Sequence, residues 1–304
     1  MSSTAVAVPL ALRAAPLPRR RAPRLLGSLR SRAATVLALA ILLTVVSSGL
    51  LAPLVAPHPP RSGNLLDSKL PPAWAPDGDA RFVLGTDELG RDILSRVMYG
   101  AQISLAVGFS AVALAGALGV SVGLVAGYFR GPIDDVMMRL ADVQLALPQI
   151  LMAIAILAVL GPGLQNVIFT LAITNWVTYA RVVRGEVLAV REKEFVQAAR
   201  CIGLGDLPIM LRHILPNVLG SVIVIASFAV AGTILAEAAL SFLGLSVGPD
   251  VPTWGGMVAA GRDQIITGKW WIYTFPGLAI MLTVLGINLI GDWLRDYLDP
   301  RLQA

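Results

Sequence analysis

Three carboxylates, Asp87, Glu88 and Asp92, stand within one short polar stretch. Carboxylates that close together can hold a divalent cation or share acid and base work. Yet Arg91 and Arg96 are interleaved with them and no histidine is near, so the same residues also read as a capped helix start. In that reading Thr86 accepts from the first-turn N–H groups, the acids favour the N-terminal end, and the arginines sit further along. Glu237, near the far end of an apolar run, and Asn175, within another, are further polar groups in the apolar runs. Each is read either as a structural hydrogen-bonding group or as part of a gate or translocation path. The single cysteine, Cys201, and two histidines far apart in sequence, His58 and His213, exclude a disulfide framework and offer no metal-ligand pair. No G-x-x-x-x-G-K-[ST], G-x-S-x-G or H-E-x-x-H pattern occurs, so no catalytic residue, metal site or bound cofactor is assigned to this chain.

The elements that carry these residues are set by composition. Of 304 residues 56% are hydrophobic and 14% charged, with a mean hydropathy of +0.74. That much apolar surface exceeds what one soluble core hides, so the chain is an all-α polytopic membrane protein. Six spans are read at 34–55, 103–128, 148–160, 164–183, 218–240 and 276–294. The parts divide as a basic tail at 1–33, a first transmembrane helix at 34–56, an external segment at 57–102, a five-helix core at 103–296 with a cytoplasmic loop at 184–217, and a C-terminus at 297–304. Seventeen of the 24 Lys and Arg residues then fall on the cytoplasmic side, which puts both termini and that loop inside. Ala115, Gly119, Gly123 and Gly127 recur every four residues and leave a smooth stripe for close helix packing. Trp270, Trp271 and Tyr273 read as an aromatic belt at the outer interface.

The long polar interruption of the second half, 194–217, carries helix signals instead of linker signals. Phe195, Ala198, Ala199 and Ile202 share one helical face, while Gln197 and Arg200 lie away from it. Gly203 is placed to end the helix in a left-handed C′ position. Asp206 is placed to cap a second helix with Pro208 in its first turn, and Pro216 to close the element.

Gln197-Ala198-Ala199, then Gly203, then Leu215-Pro216, resembles the cytoplasmic EAA loop of bacterial ABC-importer permeases. The stretches 84–101, 241–262 and 288–302 are similar to those of permeases of the oligopeptide/dipeptide/nickel family, in particular the C type of permease subunit. Gln197 replaces the Glu that names the loop, and His213 stands where many permeases have Ile. The resemblance implies the type I ABC-importer permease fold and a coupling helix seated in a groove of an ATPase subunit. Phe195, Gln197, Ala198, Ala199, Arg200, Gly203, Asp206 and Pro216 would form that site, with Arg200 and Asp206 available to pair with the partner. It further implies a homologous second permease, two cytoplasmic ATPase domains that bind ATP and Mg, an extracytoplasmic substrate-binding protein, and the bacterial cytoplasmic membrane as location. Nucleic acid is not a partner. Short peptides lead as substrate, with nickel or another small ligand as the alternative within the family. The alternative from another class is a membrane-embedded enzyme acting on lipid-linked substrates through Asp87, Glu88, Asp92 or Glu237. A secondary transporter is disfavoured because the spans lack paired charges.

Overall fold

The computed structural model describes residues 25–248 and 250–298; residues 1–24 of the expected tail at 1–33 and the last six residues lie outside them. Among the described residues the regular elements are all helices, joined by turns and loops, with one isolated bridge between Thr86 and Asp92. The principal helices are α1 (Leu25–Val55), α2 (Ile93–Phe129), α3 (Gly131–Leu145), α4 (Gln149–Leu160), α5 (Leu164–Val190), α6 (Glu194–Cys201), α7 (Asp206–Pro208), α8 (Leu215–Phe242), α9 (Trp254–Gly261) and α10 (Trp271–Leu298). Helix α1 already begins at Leu25, inside the stretch read as tail, and α2 begins at Ile93, well before the expected start of the second span.

Four helical stretches are long and apolar enough to cross a membrane: Ala34–Val55, Ile93–Phe129, Asp206–Phe242 and Trp271–Leu298. A fifth candidate, α3 with α4, is bent by 90° between its two helices. With 12 residues, α4 rises only about 18 Å, less than the roughly 30 Å of a hydrocarbon core. Its elbow is fastened to the middle of α5. Gln144 Nε2 donates to the carbonyls of Ile173 and Thr174 at 3.0 and 3.2 Å, and Trp176 Nε1 donates to Gln144 Oε1 at 2.8 Å. Two ion pairs, Arg184 with Asp134 and Arg181 with Asp142, tie α3 to α5 as well.

The centre of the molecule is the contact of α2 with α5. An added Cβ at Gly119 would lie 2.6 Å from Tyr179 Cβ, at Gly123 2.5 Å from the Ala180 carbonyl oxygen, and at Gly127 2.8 Å from Val187 Cβ. The two backbones touch because these side chains are absent, as the four-residue stripe anticipates. Gly286 of α10 meets Leu42 of α1 in the same manner, and Gly291 meets Ser227 of α8.

The segment before α2 is a folded cap. Asp87 accepts from the backbone N–H groups of Leu89 and Arg91 and from Arg91 Nε, at 2.9, 2.9 and 2.7 Å. The N-cap of α2 is Asp92, whose Oδ2 accepts from Ser95 N at 3.0 Å. Thr86, expected in that role, instead accepts from Leu70 N and donates to the Asp67 carbonyl. Helix start and tertiary tether are thus separate jobs, done by Asp92 and Thr86 respectively. Arg81 bonds both Asp67 and Asp79 and holds the Asp79 carboxyl below the ordinary carboxylate range. The cap is locked to the C-terminal third: Trp271 Nε1 donates to the Thr86 carbonyl, and Trp254 Nε1 to the Val97 carbonyl, its ring filling the space above Gly100. Trp271 is therefore buried, and Trp270 is the exposed member of the expected belt.

Gly123→Leu would drive a branched side chain into the backbone of α5, and overpacking of that kind costs about 1–3 kcal/mol or more. It is expected to lower the yield and melting temperature of the detergent-extracted protein in size-exclusion assays. Gly116→Ala, with its Cβ an ordinary 3.8 Å from Tyr179, should leave both unchanged. Equal behaviour of the two variants would contradict this packing.

Candidate coupling site

Helix α5 ends at Val190, and after a three-residue turn α6 runs for eight residues. Its end is a Schellman motif: Leu204 N–H donates to the Ala199 carbonyl and Gly203 N–H to that of Arg200, with Gly203 at φ +82°. Gly203 thus plays the part its position suggests. Leu204 then folds back against the apolar cluster that receives Ala199.

That cluster joins four elements. Val196 and Ala199 of α6 pack with Leu124 and Tyr128 of α2, Val183, Val187 and Val190 of α5, and Ile209, Met210, Ile214 and Val218 of the last long segment before α9. The shared face read from the periodicity is divided in the structure. Ala199 turns inward with Val196, whereas Phe195 (40% exposed), Ala198 and Ile202 (77% exposed) face outward. Leu207 and Leu211 extend the exposed apolar strip, and Gln197 and Cys201 lie exposed beside it. A helix this short, apolar on both sides, is built to sit between its own protein and something else.

Arg200 and Asp206 both contact the protein's own Tyr128. The Arg200 guanidinium lies 5.2 Å from the centre of the Tyr128 ring, and the Tyr128 hydroxyl donates to Asp206 Oδ1 at 2.6 Å. Arg191, the C-cap residue of α5, lies 5.9 Å from the same ring and donates to the Tyr128 carbonyl, where a cation suits the end of α2. With its carboxylate so engaged, Asp206 does not cap α7; the N-cap is Gly205, without a side-chain bond. Nor does Pro216 close the element. It lies in the first turn of α8, after a π-helical turn at Ile209–Ile214, within helix that continues from Asp206 to Phe242. Proline is tolerated there because the widened turn already breaks the regular ladder. Asn217 Nδ2 donates to the His213 carbonyl at 2.7 Å.

The two gate candidates lie elsewhere. Glu237 sits 22 positions beyond Leu215 on α8, about 33 Å away at roughly 1.5 Å per residue. It is 1% exposed and faces protein: its Oε1 accepts from Ser241 Oγ at 2.7 Å and Ser246 Oγ at 3.2 Å, while Oε2 has no bond. Asn175 accepts from Gln149 Nε2 at 3.0 Å and donates to the Leu171 carbonyl at 2.9 Å. The external acids do not converge. Asp87 is bound by Arg91, Asp92 caps α2, and Glu88 accepts from Gln264. Among the described residues no three His, Cys, Asp or Glu side chains form a metal-holding group.

Sequence reasoning missed Tyr128 and Arg191. The one available signal was that Tyr128 directly follows Gly127, the last member of the close-packing stripe. Gly203→Val puts a β-branched residue at positive φ in otherwise open space, a conformation that costs about 1–2 kcal/mol. It should loosen α6 and raise trypsin cleavage at Lys193 and Arg200, at its start and within its last turn, in membrane preparations. Gly205→Ala, at φ −69°, should leave the digestion pattern unchanged, and equal patterns for both would contradict the motif.

Residues 119–304 match the model of the family described as binding-protein-dependent transport system inner membrane component. The chain is 46% identical over 266 residues to the di/tripeptide transport system permease protein DppC of Pseudomonas aeruginosa, covering 87% of each chain. It is 40% identical to the dipeptide transport system permease protein DppC of Bacillus subtilis, covering 86% of this chain and 80% of that one. It is 43% identical over 221 residues to the glutathione transport system permease protein GsiD of Pectobacterium atrosepticum, covering 73% of each. In fold it is similar to a chain of the inward-facing MetNI methionine ABC transporter, at a TM-score of 0.55 and 17% identity, over 67% of this chain and 96% of that one. By these matches the chain belongs to the inner-membrane permeases of binding-protein-dependent ABC transport systems.

Proposed function

We propose that this permease subunit imports di- or oligopeptides across the bacterial inner membrane, and that α6 is its coupling helix. The observation that carries the reading is the double-sided α6. Its inner side is continuous with the core of α2, α5 and α8, and its outer side presents Phe195, Ala198 and Ile202 uncovered. An ATPase subunit that binds ATP and Mg would receive that outer face. A second, homologous permease would complete the pathway, and an extracytoplasmic binding protein would deliver the substrate. The peptide assignment follows the relatives, which include permeases of di/tripeptide and dipeptide transport systems.

The six-span path uses α1, α2, α4, α5, α8 and α10, with both termini in the cytoplasm. The 27 residues of α5 make about 40 Å of helix, ample for a crossing. Polar residues on α5 are acceptable where they meet protein, as Asn175 and Thr174 do. The short α4 would complete its crossing through the elbow with α3, whose polar side chains are bonded to α5. On this path the basic loop carrying α6 faces the cytoplasm, where the ATPases are. ATP-driven closure of the two ATPase domains would then move α6 and switch access between the two sides.

Phe195→Asp combined with Ile202→Asp removes the docking face while leaving the inner contacts of Val196 and Ala199 intact. The variant should insert and fold normally, fail to co-purify with the ATPase subunits, and lower uptake of a labelled dipeptide at least tenfold. Normal uptake with both aspartates in place would overturn the assignment of α6.

A further inference from the structure

We propose that Tyr128 is a positioning residue that makes the coupling helix, α2 and the α7–α8 segment move as one unit; the inference rests on α6 being the coupling helix. An apolar contact resists separation but is not directional. The apolar contact of helix α6 with its own protein is made by two buried side chains, Val196 and Ala199, neither of them large. Such a contact allows α6 to slide over the cluster when pushed from outside. A directional link is needed if the push is to reach the spans, and one ring supplies it.

Three chain segments converge on Tyr128, itself 4% exposed at the last turn of α2. From α6, Arg200 lies over the ring at 5.2 Å. From the start of the Asp206–Phe242 helix, Asp206 accepts the hydroxyl hydrogen bond at 2.6 Å. From the end of α5, Arg191 lies 5.9 Å from the ring and bonds the Tyr128 carbonyl. Charge assistance strengthens the hydroxyl-to-carboxylate bond, and cation–π attraction has its own distance and direction. One residue earlier, Gly127 packs against Val187 and fixes α2 on α5. Displacement of α6 therefore reaches the α2–α5 pair through Arg200 and Tyr128, and reaches α8 through Tyr128 and Asp206. Without the hydroxyl, α2 loses its bond to the α8 segment while the apolar cluster stays filled.

The test uses the full complex in proteoliposomes, with the partner permease, both ATPases and the binding protein, and radiolabelled alanyl-alanine as the probe. Uptake per ATP hydrolysed is the readout, since a purely structural defect lowers the amount of active complex and leaves that ratio constant. Tyr128→Phe keeps the ring and removes the hydroxyl. It should co-purify with the ATPases, hydrolyse ATP, and show the ratio reduced at least fivefold. Asp206→Ala should match it, Asp206→Asn, which keeps an acceptor oxygen, should restore most of the ratio, and the Tyr128→Phe/Asp206→Ala double variant should be no worse than either single one. An unchanged ratio in Tyr128→Phe overturns the inference alone. Failure of the wild-type chain to retain the ATPases overturns the coupling-helix reading, and the inference falls with it.

Discussion

Everything else in this protein is arranged around the backbone contact of α2 with α5 at Gly119, Gly123 and Gly127. In a membrane, burying apolar side chains between helices gains little over burying them in lipid, so close van der Waals packing must hold the spans together. Glycine supplies that contact where the stripe runs, and the pair becomes a single stiff body. Its outer end continues into the Asp92-capped start of α2, where Trp254 fills the notch above Gly100. At the inner end the stripe stops one residue before Tyr128, which enters the cluster that receives α6. The same contact therefore joins the folded segment before α2 to the cluster that receives α6.

The candidate site divides its contacts between the two sides of a very short helix. Val196 and Ala199 anchor it inward and Phe195, Ala198 and Ile202 face out. Gly203 terminates it so that Leu204 returns to the core and the chain re-enters helix at Asp206. From there helix continues to Phe242 through the π-helical turn, so the loop is joined to α8 without a flexible linker. Glu237, far along α8, is bonded to Ser241 and Ser246 beside the N-cap of α9. Both ends of α8 are thus tied by polar bonds, and its middle is apolar.

Much of this was legible in the sequence because it depends on local pattern or composition. The apolar runs, the four-residue glycine stripe, the left-handed glycine at 203 and the structural use of Asp87 all follow from short-range rules. What escaped depends on which distant residue arrives beside a polar group. Tyr128 and Asp206 are 78 positions apart, and that proximity removes Asp206 from the capping role its local sequence suggests. Thr86 likewise gives its hydroxyl to residues 67 and 70, leaving the cap to Asp92. Pro216 reads as a stop because a regular helix cannot use it, and the π-helical turn ahead of it lifts that restriction. Periodicity groups Phe195, Ala198, Ala199 and Ile202 on one face of α6, but it does not tell how much of a face turns toward the protein's own core, and only Ala199 does.

Cys201 provides the most direct test of the account, since it is exposed on α6 and is the one thiol in the chain. In native membranes a bifunctional thiol-to-amine reagent should join it to an ATPase subunit, and nucleotide should change the yield of that product. A Cys201 that reacts only from the outer side, or reacts freely from within yet captures no ATPase, would contradict the placement of α6 as the coupling helix.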